Sequence, residues 1–160
     1  MSSFLYIARV VTMLGVGLLL GGNAIAESAK SSKPSTYVEE YTAIAEVLSK
    51  YNEGGRQAKS SIMKPAFNEK ATIFGLEEGR LVGGPIQNLY DVIDGGEFKA
   101  SPQAHAAIVS VDIVGDAASA RVDTDNISGY RFTDFFQLLK VGGKWTIMSK
   151  IYYSHPTPDK

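Results

Sequence analysis

From Thr36 onward the apolar positions fall into two rhythms. Tyr37, Tyr41, Ile44, Leu48 and Tyr51 recur at steps of four and three, which places them on one face of a helix. Thr36-x-x-Glu39 in front of that face is a capping box, with the Thr36 hydroxyl serving the Glu39 N–H. Gly54-Gly55 is expected to end the helix. A second, shorter helix is predicted from Lys59 to Phe67, with Ile62, Met63, Ala66 and Phe67 inward and Pro65 weakening its last turn. "ATIFG" (Ala71 to Gly75) and "GRLVG" (Gly79 to Gly83) read as short strands around Leu76-Glu77-Glu78. Gly84-Pro85 opens a third helix, with Pro85 suited to its first position and Ile86, Leu89, Tyr90 and Ile93 inward. Gly95-Gly96 stops it.

After Ala104 the rhythm shortens to that of strands. "AHAAIVSVDIV" meets "AASARVDTD" at Gly115-Asp116, a two-residue hairpin signal. "GYRFTDFFQLLK" meets "KWTIMSKIYY" at Val141-Gly142-Gly143. Helices segregated from a run of strands mean an α+β domain: three N-terminal helices, a short hairpin before the third, and an antiparallel sheet. His155-Pro156-Thr157-Pro158 reads as a frayed tail.

The ends divide the chain further. Residues 1–26 carry Arg9 as their only charged side chain, an apolar core "VVTMLGVGLLL", and an A-x-A site at Ala24-Ile25-Ala26. That pattern is a signal peptide, and the apolar core is shorter than the roughly 20 residues a membrane span needs. The organisation expected is a signal peptide over 1–26, a flexible leader over 27–36, a folded domain over 37–154 and a tail over 155–160. The mature chain is then periplasmic or secreted, with no stable membrane anchor. The sequence has no cysteine, so disulfides, thiolate metal sites and a lipid-modified cysteine are all excluded. A formal net charge of −1 with no basic stripe argues against nucleic acid as a partner.

Asp134 and Lys150 are opposite charges set in the middle of two apolar strands. With a three-residue Val141-Gly142-Gly143 loop, Lys140 pairs with Lys144 and Asp134 falls opposite Lys150. A two- or four-residue loop pairs Asp134 with Ile151 and strands Lys150 beside Phe135, so the first register is expected. The pair then either fixes register as a partly exposed structural contact or works at a cavity, with Asp134 as general acid/base. In this register one face carries Phe135, Leu139, Trp145, Ile147 and Ile151, and the other Phe132, Phe136, Leu138, Met148 and Tyr152. One layer of helices covers one face only, which predicts a homodimer through the sheet.

The run of elements resembles the cone-shaped nuclear transport factor 2-like superfamily, in its branch labelled "putative lumazine-binding". The residues that carry the resemblance are "YNEGG" (51–55), "AFNEKATIFG" (66–75), "IVSVDIVGDAASARVD" (108–123) and "FTDFFQLLKVGGKWTIMSKIY" (132–152). It spans nearly all of Val38 to Tyr153. One departure is Asn68, where that branch often places His. The resemblance implies a half-open cavity between helices and sheet, and frequently a homodimer.

Tyr41, Tyr51, Phe67, Phe74, Tyr90, Trp145 and Lys150 are the candidate ligand-binding residues, as aromatic walls and polar rim for a small apolar or aromatic ligand; buried Tyr also packs as plain core. Asp134 is the catalytic candidate. His105 stands alone and makes a poor metal site. "DTDNIS" (123–128) has Ser where a calcium loop needs Gly, so it reads as a solvated strand end. No G-x-S-x-G, H-E-x-x-H or P-loop occurs, and no metal or cofactor is expected. Three functions remain open: an exported small-molecule-binding protein, a cofactor-independent isomerase, dehydratase or cyclase using Asp134, and a purely structural dimerisation module.

Overall fold

The computed structural model describes residues 34–156. The expected signal peptide, the expected leader up to Lys33 and the residues after Pro156 lie outside the described residues. The elements run α1 (Tyr37–Gln57), α2 (Ser60–Met63), a 3-10 turn (Lys64–Ala66), β1 (Phe67–Glu77), β2 (Arg80–Pro85), α3 (Gln87–Asp94), β3 (His105–Val114), β4 (Ala117–Ile127), β5 (Tyr130–Val141) and β6 (Lys144–Ser154). The architecture is α+β, with six strands in one sheet ordered β2-β1-β6-β5-β4-β3. The sheet is not wholly antiparallel as expected: β1 lies parallel to β6, so the first strand of the sheet is zipped to the last. No helix among the described residues is long and apolar enough to cross a membrane.

The capping box at Thr36 forms as expected, with Glu39 N–H donating to Thr36 Oγ1 at 3.3 Å and Thr36 N–H to Glu39 Oε2 at 2.6 Å. Helix α1 does not stop at Gly54-Gly55 but runs to Gln57, and Ala58 in the left-handed region caps it. The two glycines serve packing instead. A Cβ on Gly54 would sit 2.7 Å from Met63 Cβ, and one on Gly55 would sit 2.8 Å from Ile127 Cδ1. The bare backbone lets α2 and the end of β4 press against the helix. The predicted second helix shrinks to four residues and a 3-10 turn, and Phe67 begins β1 rather than ending a helix. Pro85 closes β2 instead of opening α3, whose N-cap is Ile86. The Ser60 N–H and hydroxyl both donate to the Asp94 carboxylate, at 3.0 and 2.6 Å, which ties α2 to the end of α3.

Ile44, Val47 and Leu48 of α1, Met63, Ile86, Tyr90 and Ile93 bury against Val122, Phe136, Leu138, Trp145 and Ile147 on one sheet face. The other face keeps Phe135, Leu139, Ile151 and Tyr153 exposed. Trp145 and Ile147 therefore lie on the helix side, not beside Phe135. His155 is not frayed: its N–H donates to the Arg131 carbonyl at 2.9 Å, and its ring nitrogen lies 3.0 Å from the Thr133 hydroxyl.

Gly54→Ala separates helix propensity from packing. In an open helix the change gains up to about 1 kcal/mol. Here the methyl meets Met63, and a loss of roughly 1–3 kcal/mol is expected from overpacking. Urea denaturation measures it, and a midpoint at or above that of the wild type would refute the close approach.

Candidate functional site

The β5–β6 hairpin turns on Gly142-Gly143 with Val141 opposite Lys144, so the two-residue loop is the one used. By itself that loop sends Asp134 and Lys150 to opposite faces. An extra residue in β6 corrects it. Leu138 pairs with Ile147 but Gln137 pairs with Ser149, leaving Met148 as a bulge. Beyond the bulge Phe136 faces Lys150 and Asp134 faces Tyr152, so Asp134 and Lys150 are diagonal neighbours on one face. The expected direct pairing is thus wrong in register, while the contact exists: Lys150 Nζ lies 2.7 Å from Asp134 Oδ1. Strand β1 is also irregular here, with Asn68 to Ala71 spanning the interval that β6 crosses with Met148 alone. Bulges of this kind re-aim side chains.

The pair is not partly exposed. Asp134 is 1% and Lys150 4% accessible. The Tyr51 hydroxyl, from α1, donates to Asp134 Oδ2 at 2.7 Å. Oδ1 accepts no hydrogen bond of good geometry and is met by the Lys150 charge. Burial, then the Asp134 charge and the hydrogen bond to it, push the Tyr51 phenol well above its ordinary range, so it remains a proton donor. Around this unit the rings close edge to face: Tyr51 to Phe136 at 5.0 Å, Tyr51 to Phe67 at 6.0 Å and Phe67 to Tyr90 at 6.2 Å between centroids. Burial alone pushes Tyr90 up to about 12. The Lys150 ammonium sits 4.7 Å from the Tyr152 ring, 5.5 Å from Tyr51 and 6.0 Å from Phe132. An acid, a phenol and an amine thus share one small aromatic enclosure, a set able to exchange protons with a bound molecule.

Tyr51, Phe67, Tyr90, Asp134 and Lys150 therefore come together. Three candidates do not join them. Tyr41 is exposed and pairs with Tyr37 along the helix. Phe74 faces the opposite side of the sheet, because it pairs with Ile151 while its neighbour Ile73 pairs with Lys150. Trp145 is buried but belongs to a different cluster, where its indole N–H donates to Glu40 Oε2 at 2.6 Å. Phe132, Phe136 and Tyr152 were not among the candidates. The strand alternation already places all three on the side of Asp134. His105 is an exposed residue opening β3, and Asp123 and Asp125 are paired with Arg121 and Arg131.

Glu40 anchors the first half of α1. It accepts from Trp145 and Lys140, and the Ser35 hydroxyl also donates to it. These bonds hold its carboxyl down to about 2, with the Lys140 bond the largest cause. A cleft of about 730 Å³ opens here between α1, the start of β1 and the β5–β6 turn, bordered by Glu40, Phe67, Asn68, Lys140 and Trp145. A second hollow, of about 410 Å³, lies near the β3–β4 turn, where Val114, Ser119 and Leu139 border it. Neither is lined by Tyr51, Asp134 or Lys150. Among the described residues no group of three or more His, Cys, Asp or Glu converges as a metal site.

The family model described as "Putative lumazine-binding" matches residues 39–153. A crystal structure of an NTF2-like protein of unknown function from Shewanella baltica OS155 is 66% identical, with a TM-score of 0.75 over 77% of this chain and 99% of that one. Another, from Methylobacillus flagellatus KT, is 36% identical, with a TM-score of 0.71 over 76% of this chain and 97% of that one. A protein named Aldolase FrzH, from Cladobotryum sp, is 32% identical over 121 residues, 73% of this chain and 93% of its own length.

The Glu40 cluster predicts an acid-sensitive fold. A carboxyl held near 2 when folded and at 4.5 when free binds more protons in the unfolded state between those values. Its stabilisation is full above pH 4.5 and falls away as the pH drops toward 2. Glu40→Gln is expected to flatten the melting temperature's decline across that window, the remaining slope including Glu53, which is held equally low by Arg56 and Gln57. Thermal melts from pH 2 to 6 measure it, and an unchanged slope would refute the assignment.

Proposed function

The chain belongs to the "Putative lumazine-binding" family of NTF2-like proteins, and from that premise we propose that its Tyr51–Asp134–Lys150 cluster moves a proton on a small carbonyl compound without a cofactor. One observation carries this reading: a carboxylate 1% exposed, gripped by a phenol and an ammonium inside an aromatic shell. Such a unit is a poor structural device. Replacing a buried ion pair with apolar side chains of similar volume is often neutral or stabilising by about 1–4 kcal/mol. Buried charge set against specific partners is instead characteristic of reacting sites.

The roles follow from the chemistry. Asp134 takes a proton from the carbon beside the carbonyl. The Tyr51 hydroxyl and Lys150 ammonium stabilise the negative charge that then develops on oxygen. Phe67, Tyr90, Phe132, Phe136 and Tyr152 give walls suited to a small apolar or aromatic molecule. The relative named an aldolase supports this choice, because aldol chemistry begins with that proton. The open cleft beside Phe67 favours a second reading, binding without turnover, in which Phe67 and Trp145 are the aromatic walls that hold the ligand. The same proposal takes the mature chain as exported, on the pattern of residues 1–26 alone.

Proton NMR tests the primary reading by following α-deuterium exchange of small aldehydes and ketones in D2O. Wild type is expected to accelerate exchange for at least one of them, and Asp134→Asn to lose that acceleration by roughly 10²–10⁴-fold. Asp134→Asn leaves an unpaired buried amine and costs about 3–5 kcal/mol, so an Asp134→Leu/Lys150→Met double variant serves as the folded, inactive control. Exchange by Asp134→Asn at the wild-type rate would end the proton-transfer role.

We also propose that a second copy covers the outer sheet face. Phe135, Ile151 and Tyr153 are 48%, 55% and 56% exposed there, beside Phe74 on the neighbouring strand and Leu139 further along β5. Sedimentation velocity is expected to show a dimer for wild type and a monomer for Phe135→Lys/Ile151→Lys. A monomeric wild type at micromolar concentration would remove this part of the proposal.

A further inference from the structure

We propose that Lys150 is itself a nucleophile, and that its Nζ joins the carbonyl carbon of the bound molecule as a Schiff base. This rests on the carbonyl reading above and adds a covalent step to it. Four observations lead there. Lys150 is the only buried lysine among the described residues. The Met148 bulge turns the Lys150 side chain inward. Its Nζ stands 4.7, 5.5 and 6.0 Å from the centroids of three rings and faces one carboxylate, which is placed to take its proton. Tyr51 occupies Asp134 Oδ2, leaving Oδ1 facing Nζ at 2.7 Å with no other donor, so a proton has one short path off the amine.

The atoms balance. Nζ gives a proton to Asp134 Oδ1, and its lone pair attacks the carbonyl carbon. The carbonyl oxygen becomes a hydroxyl by taking the second Nζ proton, relayed through the Tyr51 hydroxyl, which gives one proton to the oxygen and regains one from the nitrogen. Asp134 returns the proton to that hydroxyl, which leaves as water. The product is a protonated imine beside an ionised Asp134. The same carboxylate then removes the adjacent C–H proton to give an enamine. No oxidant, reductant or other reactant is consumed.

Access is through the rings that cover the amine. Phe132 and Tyr152 are only half-buried and stand edge to face at 6.1 Å. Tyr152 is held at its hydroxyl by Glu77 at 3.2 Å, an exposed bond at the β1–β2 hairpin. Swinging that one ring outward uncovers Nζ without disturbing α1.

The test uses 2,4-pentanedione, which converts an uncharged lysine amine into an enaminone with its own near-ultraviolet absorption. The full chain is expected to form one enaminone, on the peptide containing Lys150, faster than on its exposed lysines. Tyr152→Ala is expected to speed that labelling, and Lys150→Arg to abolish it. Labelling confined to exposed lysines in both wild type and Tyr152→Ala would overturn the proposal. Deuterium exchange separates it from the underlying reading. Exchange lost in Asp134→Asn but retained in Lys150→Arg leaves the acid/base role standing and removes the Schiff base.

Discussion

A charge placed in a protein interior has to be met, and in this domain one meeting sets the layout around it. Asp134 and Lys150 lie in the two strands that form the middle of the hairpin, beneath α1. Separating them leaves an uncompensated buried ion, which costs several kcal/mol. The tight Gly142-Gly143 turn dictates a parity that would separate them. The chain keeps both the turn and the pair by admitting one extra residue, Met148, into β6. Tyr51 then adds a hydrogen bond from the helix, so the unit also fixes how α1 lies on the sheet.

Helix α1 is pinned along its length by contacts of different kinds. The Tyr37 hydroxyl donates to the Val111 carbonyl on β3 at 3.0 Å. Glu40 engages Lys140 and Trp145 on β5 and β6. Tyr51 reaches Asp134, and Gly55 seats the Ile127 side chain. A helix held this way does not slide or tilt cheaply. Freedom near the buried cluster is left to the side chains at its edge, Phe132 and Tyr152, whose backbones are locked in the sheet while their rings reach solvent.

Much of the fold was legible because it depends on local periodicity. The helix from Tyr37 to Tyr51, the Thr36 capping box, the turn at Gly115-Asp116 and the stop at Gly95 all depend on neighbours in sequence, and each appears where its pattern stood, although Tyr37 and Tyr41 at the helix start are exposed and not on the buried face. The misreadings share another cause. Gly54-Gly55 looks like a helix stop until Met63 and Ile127 press on it. The parallel pairing of β1 with β6 joins segments some eighty residues apart. Asp134 and Lys150 were findable as opposite charges in apolar strands. Their register was not, because a bulge has no signature in a run such as "WTIMSKIYY". Phe74 was misplaced for a related reason: the face a strand residue takes follows from its partner strand, and β1's partner could not be read locally. Glu40 escaped notice because its partners lie a hundred residues away.

The parallel seam between β1 and β6 also says something about how this domain comes into being. A nascent chain can form α1 and the β1–β2 hairpin early, but the place reserved beside β1 stays empty until the last strand is complete. Until then β1 shows an unpaired edge, and the inner wall that will hold Lys150 does not exist. Assembly therefore waits on synthesis of almost the whole domain, a long-range closure that folds slowly compared with helical bundles. The phenol of α1 can meet the acid and the amine of the β5–β6 hairpin only once that last strand exists, so a chain cut short before Lys150 has no such cluster.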